Sequence, residues 1–250
     1  MEIFWQTIAH YNSWSWIYQL IIVGIGILLS VLLFYRPRTW VKNSMKCYLA
    51  GVYLWLSIAY YYFDCGTRAY NEVMALIWAL LALVWIWDLK VGYTSFNRTR
   101  KYDKLAYLLL AMPFVYPVIS LLRGLTFPMI TSPVMPCSVV VFTLGIMLLF
   151  SEKINLFLIL CLTHWSVIGL TKTYYFNIPE DFLLSSASVP ALYCFFKEYY
   201  ANYTHQETKP SRQTVKNLLI LFCSGIGLIL LVTLVKQCLS ILPNHKGASE

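Results

Sequence analysis

The chain has 250 residues, of which 59% are hydrophobic and only 12% are charged, and its formal net charge is +8. A soluble domain carries about 25% charged residues, and half that share leaves too little polar surface to face water. The composition therefore excludes an ordinary soluble domain and predicts an integral membrane protein.

Eight continuously apolar segments account for this composition. They lie at 17–35, 47–63, 73–89, 105–122, 134–150, 154–171, 182–200 and 218–235. Because a helix rises about 1.5 Å per residue, roughly 20 residues cross a hydrocarbon core of ~30 Å, and a β-barrel would instead require alternating polar and apolar residues. The segments predict an all-α, polytopic transmembrane helix bundle of eight spans, forming a single domain over residues 1–250. Seven spans is the alternative, because three serines and a proline interrupt segment 182–200.

The basic residues lie mostly on one side of these segments. The loops after the first, third, fifth and seventh segments hold 14 of the 19 Lys and Arg residues. Because Lys and Arg accumulate on the cytoplasmic side, these loops are predicted to be cytoplasmic and both termini extracytoplasmic. The same requirement explains the positive net charge, so we expect the lipid bilayer as a partner and no nucleic acid. The sequence does not predict an oligomeric state.

An aromatic stretch precedes the first apolar segment. Phe4, Trp5, Tyr11, Trp14 and Trp16 lie in it, and such rings are typical of the membrane interface. We therefore expect an interfacial helix or an aromatic belt before the first span.

Pairs of glycines mark the first and the last segments. Gly24 and Gly26 lie in the first, and Gly225 and Gly227 lie in the last. Small residues let neighbouring helices approach closely in a membrane, so both segments are predicted to pack tightly against a neighbour.

Acidic and basic residues follow the second segment at helical spacing. Asp64, Arg68 and Glu72 stand at positions i, i+4 and i+8. If the second helix continues through them, they line one of its faces as acid, base, acid. Cys65 and Cys137 both fall near the predicted outer face, where a disulfide between them is compatible with an oxidising compartment.

Asp88 ends the third segment, two residues before Lys90. We expect it at the inner membrane interface, paired with Lys90 or with a basic residue of a neighbouring loop.

Prolines concentrate in the middle of the chain. Pro113 and Pro117 lie inside the fourth segment, and Pro128, Pro133 and Pro136 follow it. Proline removes a backbone donor and kinks or breaks a helix. Two interpretations stay open: a discontinuous helix around a substrate site, as transporters use, or a kinked helix followed by an ordinary outer loop.

Further polar residues lie near segment ends on the predicted outer side. Arg123 follows the fourth segment, Ser138 ends the proline break, Lys172 follows the sixth segment, and Glu180 and Asp181 begin the seventh. In one interpretation they converge with the acid–base–acid series into an outward-facing pocket for a small polar or charged solute. In the other they are loop residues that form ordinary ion pairs in water. In the second case their ion pairs are worth under ~1 kcal/mol each.

His164 lies in the middle of segment 154–171. An ionisable residue inside a span is costly and is by default a candidate functional residue. In one interpretation His164 relays protons or contacts a substrate. In the other it is a neutral imidazole that forms a hydrogen bond to a neighbouring helix. Because His164 is the only histidine within a segment, a histidine-based metal or haem site lacks ligands.

Motifs for nucleotide binding, zinc hydrolysis and serine hydrolysis are absent from the sequence. We therefore expect no cofactor and no metal, and the sequence assigns no catalytic residue.

Three stretches resemble a known family. They are MPFVYP at 112–117 with RGL at 123–125, TSPVMPCS at 131–138, and HWS at 164–166 with IPEDF at 178–182. Together they resemble a bacterial family of multi-span membrane proteins of unknown function, over most of the chain. The resemblance implies a bacterial inner-membrane protein. It implies no activity, so no functional residue is carried over from it.

Three functions are compatible with these patterns. The leading hypothesis is a transporter or channel for a small polar or anionic solute, in which Arg68, Arg123 and Lys172 attract an anionic group and His164 lies deeper. Its site would lie in the outer half of the bundle, near the proline break.

The other two hypotheses belong to different classes. One is a membrane-embedded enzyme that acts at the outer face on a lipid-linked substrate, with Asp64, Glu72, Glu180, Asp181 and His164 as acids and bases; it predicts a lateral opening towards lipid. The other is a non-catalytic membrane partner or assembly factor.

Overall fold

The structure is a computed structural model that describes residues 2–65, 71–151, 153, 155–176 and 180–203, with the side chains of 2, 3, 170–176, 180 and 200–203 left aside. The chain divides into two units, Met1–Tyr199 and Tyr200–Glu250, and the description below concerns the first. The expected single domain over the whole chain stays a prediction.

Helices dominate the described residues. They are α1 (Glu2–Tyr35), α2 (Thr39–Trp55), a π-helix (Leu56–Asp64), α3 (Asn71–Val91), α4 (Asp103–Leu122), α5 (Pro136–Phe150), α6 (Leu156–Phe176) and α7 (Glu180–Tyr203). Their bounds agree with the seven apolar segments up to 182–200 to within a few residues, except at the start of α1 and of α2. The eighth segment, 218–235, lies outside the described residues.

Within the described part of the chain, three helices are long and apolar enough to cross a membrane, at Phe4–Tyr35, Asn71–Val91 and Asp103–Leu122. Two shorter apolar helices lie at Pro136–Phe150 and Leu156–Gly169. The expected all-α helix bundle is confirmed, and its apolar helices indicate a membrane protein. Whether the chain spans seven or eight times stays a prediction.

Helix α1 runs without interruption through the aromatic stretch. Its 34 residues extend over roughly 50 Å at 1.5 Å per residue, which exceeds a hydrocarbon core of ~30 Å. The aromatic stretch is therefore part of α1, and the start of the first span at residue 17 stays a prediction. Below, "outer end" means the end of the bundle at the start of α1, and "inner end" means the opposite end.

The second helix changes its hydrogen bonding before it ends. The backbone N–H of Cys65 donates to the carbonyl of Tyr60, five residues back, at 2.9 Å, which is the π-helical pattern. The π-helix ends at Asp64, and α3 begins at Asn71 and packs back against it, with Ser57 Oγ donating to the carbonyl of Ala75 at 2.6 Å. Asp64 and Glu72 therefore belong to different helices, and Arg68, the middle member of the predicted acid–base–acid series, lies outside the described residues.

An aromatic cluster forms the centre of the bundle. The ring of Trp78 on α3 stacks on Tyr53 and Tyr61, with centroids 5.1 and 5.8 Å away. Trp165 on α6 meets the edge of Trp78 at 5.3 Å, and Tyr53 Oη donates to Thr143 Oγ1 on α5 at 3.0 Å. Rings of this size bury large areas and favour such stacked and edge contacts, so they fix the mutual positions of α2, α3, α5 and α6.

Helices α6 and α7 pack through small residues. Ser185 Oγ donates to the carbonyl of Ser166 at 2.5 Å, and Ser188 Oγ donates to Ser166 Oγ at 2.8 Å. A Cβ at Gly169 would lie 3.3 Å from Leu184. Serines and glycine thus allow the close approach that membrane helices use in place of hydrophobic burial.

Candidate functional site

The proline break between α4 and α5 is bonded to the outer part of α1. Asn12 Nδ2 donates to the carbonyls of Pro128 and Ile130 at 2.8 and 2.7 Å, and Tyr11 Oη donates to the carbonyl of Val134 at 3.0 Å. A backbone outside regular helices leaves carbonyls that need donors, and inside a membrane the protein itself must supply them. Helix α1 supplies these donors.

Hydroxyl groups in and beside the break add to this bonding. Ser120 Oγ and Thr131 Oγ1 lie 2.8 Å apart, and Ser138 Oγ donates to the carbonyl of Ser132 at 2.9 Å. All four residues are buried. Ser138, predicted as a substrate contact, thus holds the turn before α5.

A stripe of buried polar residues on α1 was missed by sequence reasoning. Asn12, Ser15 and Gln19 are buried, and Gln19 Nε2 donates to Asn12 Oδ1 at 3.1 Å and to Ser15 Oγ at 2.8 Å. Their spacing of three and four residues was the available signal, because it places them on one face of a helix. The aromatic residues around them are the stronger pattern, and that pattern predicts a membrane interface and not a buried polar face.

A mostly apolar cavity of about 200 Å³ lies directly below this stripe, between α1, α2, α4 and α5. It is lined by Ile22, Val23, Gly26, Ile27, Ser30, Val31, Tyr48, Leu49, Val52, Leu110, Pro113, Phe114, Pro133, Val134, Val139 and Phe142. Its volume is somewhat larger than the roughly 150 Å³ of an engineered apolar cavity that takes up benzene. The cavity therefore suits a narrow apolar chain better than a bulky or strongly hydrated solute.

The cavity opens sideways, towards the exposed apolar surface of the bundle. Three of its lining residues are about half exposed: Ile27 at 47%, Val31 at 46% and Phe114 at 44%. Ile27 and Val31 belong to α1, and Phe114 belongs to α4, so the opening lies between these two helices. We refer to the cavity and this opening together as the lateral groove.

One contact in the lining of the lateral groove, between α1 and α2, requires a glycine. A Cβ placed on Gly26 would overlap the hydroxyl of Tyr48 on α2, whereas a Cβ on Gly24 would meet no atom within 4 Å. The predicted close packing of the first span is therefore present at Gly26 and not at Gly24.

Arg98 stands at the inner end of the groove. Its guanidinium lies 5.1 Å from the ring centre of Phe34 on α1 and 5.7 Å from that of Tyr107 on α4. It also makes a two-bond ion pair with Asp103, in which Nη1 and Nη2 donate to Oδ1 and Oδ2 at 2.7 and 2.6 Å. Arg98 thereby joins the inner ends of the two helices that flank the opening.

A buried ion pair lies at the same end of the bundle. Lys46 Nζ is 2.9 Å from Asp88 Oδ2, and both side chains are almost inaccessible. Asp88 Oδ1 accepts bonds from the N–H and the hydroxyl of Thr94 at 2.8 and 3.0 Å. The expected partner of Asp88 was Lys90 or a base from a loop; it is Lys46, which belongs to α2 because that helix begins eight residues before the apolar segment.

A third ion pair joins the inner loop to α7. Lys101 Nζ lies 2.7 Å from Glu198 Oε2, and Tyr102 Oη donates to Glu198 Oε1 at 3.0 Å. Burial, followed by the bond to this carboxylate, raises the pKa of Tyr102 to about 12. The phenol therefore stays neutral and donates at physiological pH.

Asp64 is the predicted site residue with the most specific surroundings. Its carboxylate side chain is 1% exposed and accepts a bond from His10 Nδ1 at 2.5 Å, while the imidazole of His10 is 75% exposed. Trp14 Nε1 lies 3.2 Å from both carboxylate oxygens. His10 lies outside the apolar segments, so its pairing with Asp64 has no signal in the local sequence.

The other predicted residues are spread over the outer half of the bundle. Arg123 ends α4, is exposed, and places its guanidinium 5.9 Å from the ring centre of Trp5. Glu72 is exposed in the first turn of α3, and Asp181 is buried near the start of α7. His164 is half-buried on α6. Their roles in solute binding stay predictions.

Three predicted residues cannot be compared with the structure. Arg68 lies outside the described residues, and so do the side chains of Lys172 and Glu180.

Cys65 and Cys137 are both buried, and no disulfide joins them. Within the described ranges no group of three or more His, Cys, Asp or Glu side chains is arranged to hold a metal ion.

Comparison with known proteins identifies one family. A family of unknown function, DUF6064, matches residues 1–206. No curated protein matches the chain, and no solved structure does.

Proposed function

Because the chain belongs to this family of unknown function, we propose its function from the geometry of its own residues: it binds a lipid or a lipid-linked molecule whose apolar chain enters the lateral groove from the bilayer. The carrying observation is the sideways opening between α1 and α4 of a cavity lined almost entirely by apolar side chains. A hydrated solute gains little in such a cavity, whereas a hydrocarbon chain fills it without loss of hydrogen bonds.

The position and length of the groove support this ligand. Its lining on α1 extends from Ile22 to Val31, about 14 Å along a helix and well inside a span that runs to Tyr35. A chain bound there lies at the depth where lipid tails already are, so entry requires no crossing of a polar layer.

The lateral opening is what the hypothesis of an enzyme for lipid-linked substrates predicts, and the substrate class proposed here is the same. The leading hypothesis of a transporter for a polar or anionic solute, and that of a non-catalytic partner, stay predictions. Around the proline break, the described hydroxyl and amide groups of Asn12, Ser120 and Ser138 bond to protein atoms, which favours an apolar ligand in this half of the bundle.

The proposal extends to the setting of the protein. We propose a multi-pass protein of a bacterial inner membrane with both termini outside the cytoplasm. The support is the excess of Lys and Arg at the inner end, such as Arg36, Arg38, Arg100 and Lys104, which are all exposed.

Photo-crosslinking tests the lipid-binding function. A phospholipid with a diazirine in its acyl chain is incorporated into nanodiscs with the protein, and the crosslinked residues are identified by mass spectrometry. We expect crosslinks concentrated on Ile27, Val31 and Phe114, above the level on exposed α3 residues such as Leu76 and Leu83. Equal labelling of both surfaces would mean only annular lipid and would overturn the proposal.

A tryptophan substitution that fills the groove, with a matched tryptophan outside it, tests where the chain binds. Val31→Trp places an indole in the opening, and Leu28→Trp places one on the same helix at an exposed residue outside the lining. We expect the first variant to lose crosslinks at Phe114 and the second to retain them.

A second candidate function is proton transfer at the outer face. An exposed imidazole whose Nδ1 is bonded to a buried carboxylate, as in His10–Asp64, is held in one orientation and tautomer and can act as a general base through Nε2. The test is incubation of the protein with a lipid extract and analysis for altered headgroups. Turnover that His10→Gln abolishes without unfolding the protein supports this function, and turnover unchanged in that variant excludes the role of His10.

A further inference from the structure

Resting on the proposed function, we propose that the ligand of the lateral groove is an anionic phospholipid, whose phosphate-bearing headgroup binds at the inner end of the groove to Arg36, Arg38, Arg100 and Lys104. This adds a headgroup class, a leaflet and a set of ligand-binding residues to the proposed function.

The residues that line the opening continue inwards to Arg98. On α1, Ile27, Val31 and Phe34 repeat at intervals of four and three residues, and on α4 Phe114 and Tyr107 lie two turns apart on one face. Arg98 contacts the rings of both Phe34 and Tyr107. A chain that leaves the groove at its inner end therefore arrives at the guanidinium of Arg98.

Arg98 is not itself the proposed phosphate ligand. Asp103 takes up two of its donors, and Tyr107 Oη accepts a third bond at 3.0 Å. Its charge is therefore balanced. Arg98 positions the surrounding chain and gives the groove a polar end where apolar lining would otherwise continue.

Four further cations surround this end. Arg36 and Arg38 follow α1 directly, Arg100 lies two residues after Arg98, and Lys104 is in the first turn of α4; all four are exposed. Among the described residues, the ion pairs involve Lys46, Arg98, Lys101 and His10 and none of these four. Arginine and lysine side chains bind phosphate oxygens, and cations at this depth are attracted to anionic lipid surfaces.

Arg100 has a backbone conformation that supports a specific role. Its φ of 56° lies in the left-handed region, which is uncommon for a residue other than glycine. The conformation turns the chain two residues after Arg98, shortly before α4 begins at Asp103.

The outer end of the groove offers no comparable site. There it is bounded by Pro133 and Val134, and the buried polar side chains of α1 at that end, Asn12 and Gln19, are bonded to protein atoms. Ser132, next to Pro133, offers one buried neutral hydroxyl and no positive charge. A headgroup at that end would displace bonds that satisfy the proline break, whereas a headgroup at the inner end meets exposed cations.

The experiment compares two headgroups with the same photoreactive acyl chain. Phosphatidylglycerol and phosphatidylcholine probes compete in nanodiscs of fixed composition, and the crosslinks to Ile27, Val31 and Phe114 are counted for each. We expect the anionic probe to be preferred by about tenfold or more, because the exposed cations attract an anionic headgroup.

Variants with equal net charge separate the site from general electrostatic attraction. Arg36→Gln combined with Lys104→Gln removes two cations at the groove, and Lys90→Gln combined with Lys197→Gln removes two on α3 and α7, which line no part of it. We expect the first pair to reduce the headgroup preference by about tenfold and the second to leave it nearly unchanged.

The outcomes distinguish this inference from the proposed function. Groove crosslinks without any headgroup preference, or an equal loss of preference in both double variants, overturn the anionic site and leave chain binding intact. Crosslinks that are no denser in the groove than on α3, with either probe, overturn the proposed function as well.

Discussion

The two ends of the bundle satisfy their polar groups by different chemistry. At the outer end, neutral side chains such as Asn12, Tyr11 and Ser138 donate to carbonyls of the proline break. At the inner end, ion pairs such as Lys46–Asp88 and Arg98–Asp103 hold the loop between α3 and α4, and further cations are left exposed. The outer end is thus held mainly by neutral hydrogen bonds, with the buried hydroxyl of Ser132 as an exception, whereas the inner end has charge available for a ligand.

The lateral groove lies between the hydrogen-bonded outer end and the ionic inner end, and this position explains why its lining is apolar. Proline removes backbone donors, so the outer end needs side-chain donors close to the break. The donors on α1 lie before the groove begins and bond to the break, so none of them lines the groove. The α1 residues that do line it, which follow Gln19 in the sequence, are almost wholly apolar. The following predictions test how strongly each end depends on its own bonding.

The largest loss of stability is expected at the buried inner pair. Lys46→Met leaves the carboxylate of Asp88 buried without its cation, and breaking such a pair costs about 3–5 kcal/mol of unfolding free energy. Unfolding in a fixed detergent measures it. The double variant Lys46→Met with Asp88→Leu removes both charges and is expected to recover most of the loss; no recovery would show that the pair is not the cause.

The next effect is expected at the outer end, at Asn12. Asn12→Ala leaves the carbonyls of Pro128 and Ile130 without their donor, and unsatisfied buried groups cost about 1–3 kcal/mol. Ser13→Ala, at the next residue on an exposed face, is the control and should cost little. If both variants unfold alike, α1 does not support the break.

A smaller effect is expected in the lining of the groove, at Gly26. Gly26→Ala forces the ring of Tyr48 to move and should destabilise the protein by about 1–2 kcal/mol, as overpacking does. Gly24→Ala meets open space and should be neutral or slightly stabilising, because alanine favours a helix. A loss in Gly26→Ala that persists when Tyr48→Leu is added would contradict this contact as the cause.

The smallest effect is expected at the exposed outer pair. His10→Gln removes the imidazole beside Asp64 while Trp14 continues to donate to the carboxylate. An ion pair with one exposed partner contributes under about 1 kcal/mol, so thermal unfolding should change little. A loss as large as that of Asn12→Ala would mean that His10 carries structure, and would weaken its assignment to proton transfer.

The sequence by itself determined the class and the helices of this protein. Continuous apolar segments can satisfy their backbone in a membrane only as helices, so the positions of α3 to α7 followed from local composition. It also predicted that Asp88 needs a basic partner, because an isolated carboxylate at a span end is costly.

Only the tertiary structure decided how these helices use their polar and small residues. Sequence spacing could not show that α2 becomes a π-helix ending at Asp64, or that His10, 54 residues earlier, bonds that carboxylate. The groove has the same origin, since its lining combines α1, α2, α4, α5 and the proline break, which are distant along the chain. Local hydropathy reports how each segment meets lipid, whereas a cavity and a long-range hydrogen bond depend on which segments become neighbours.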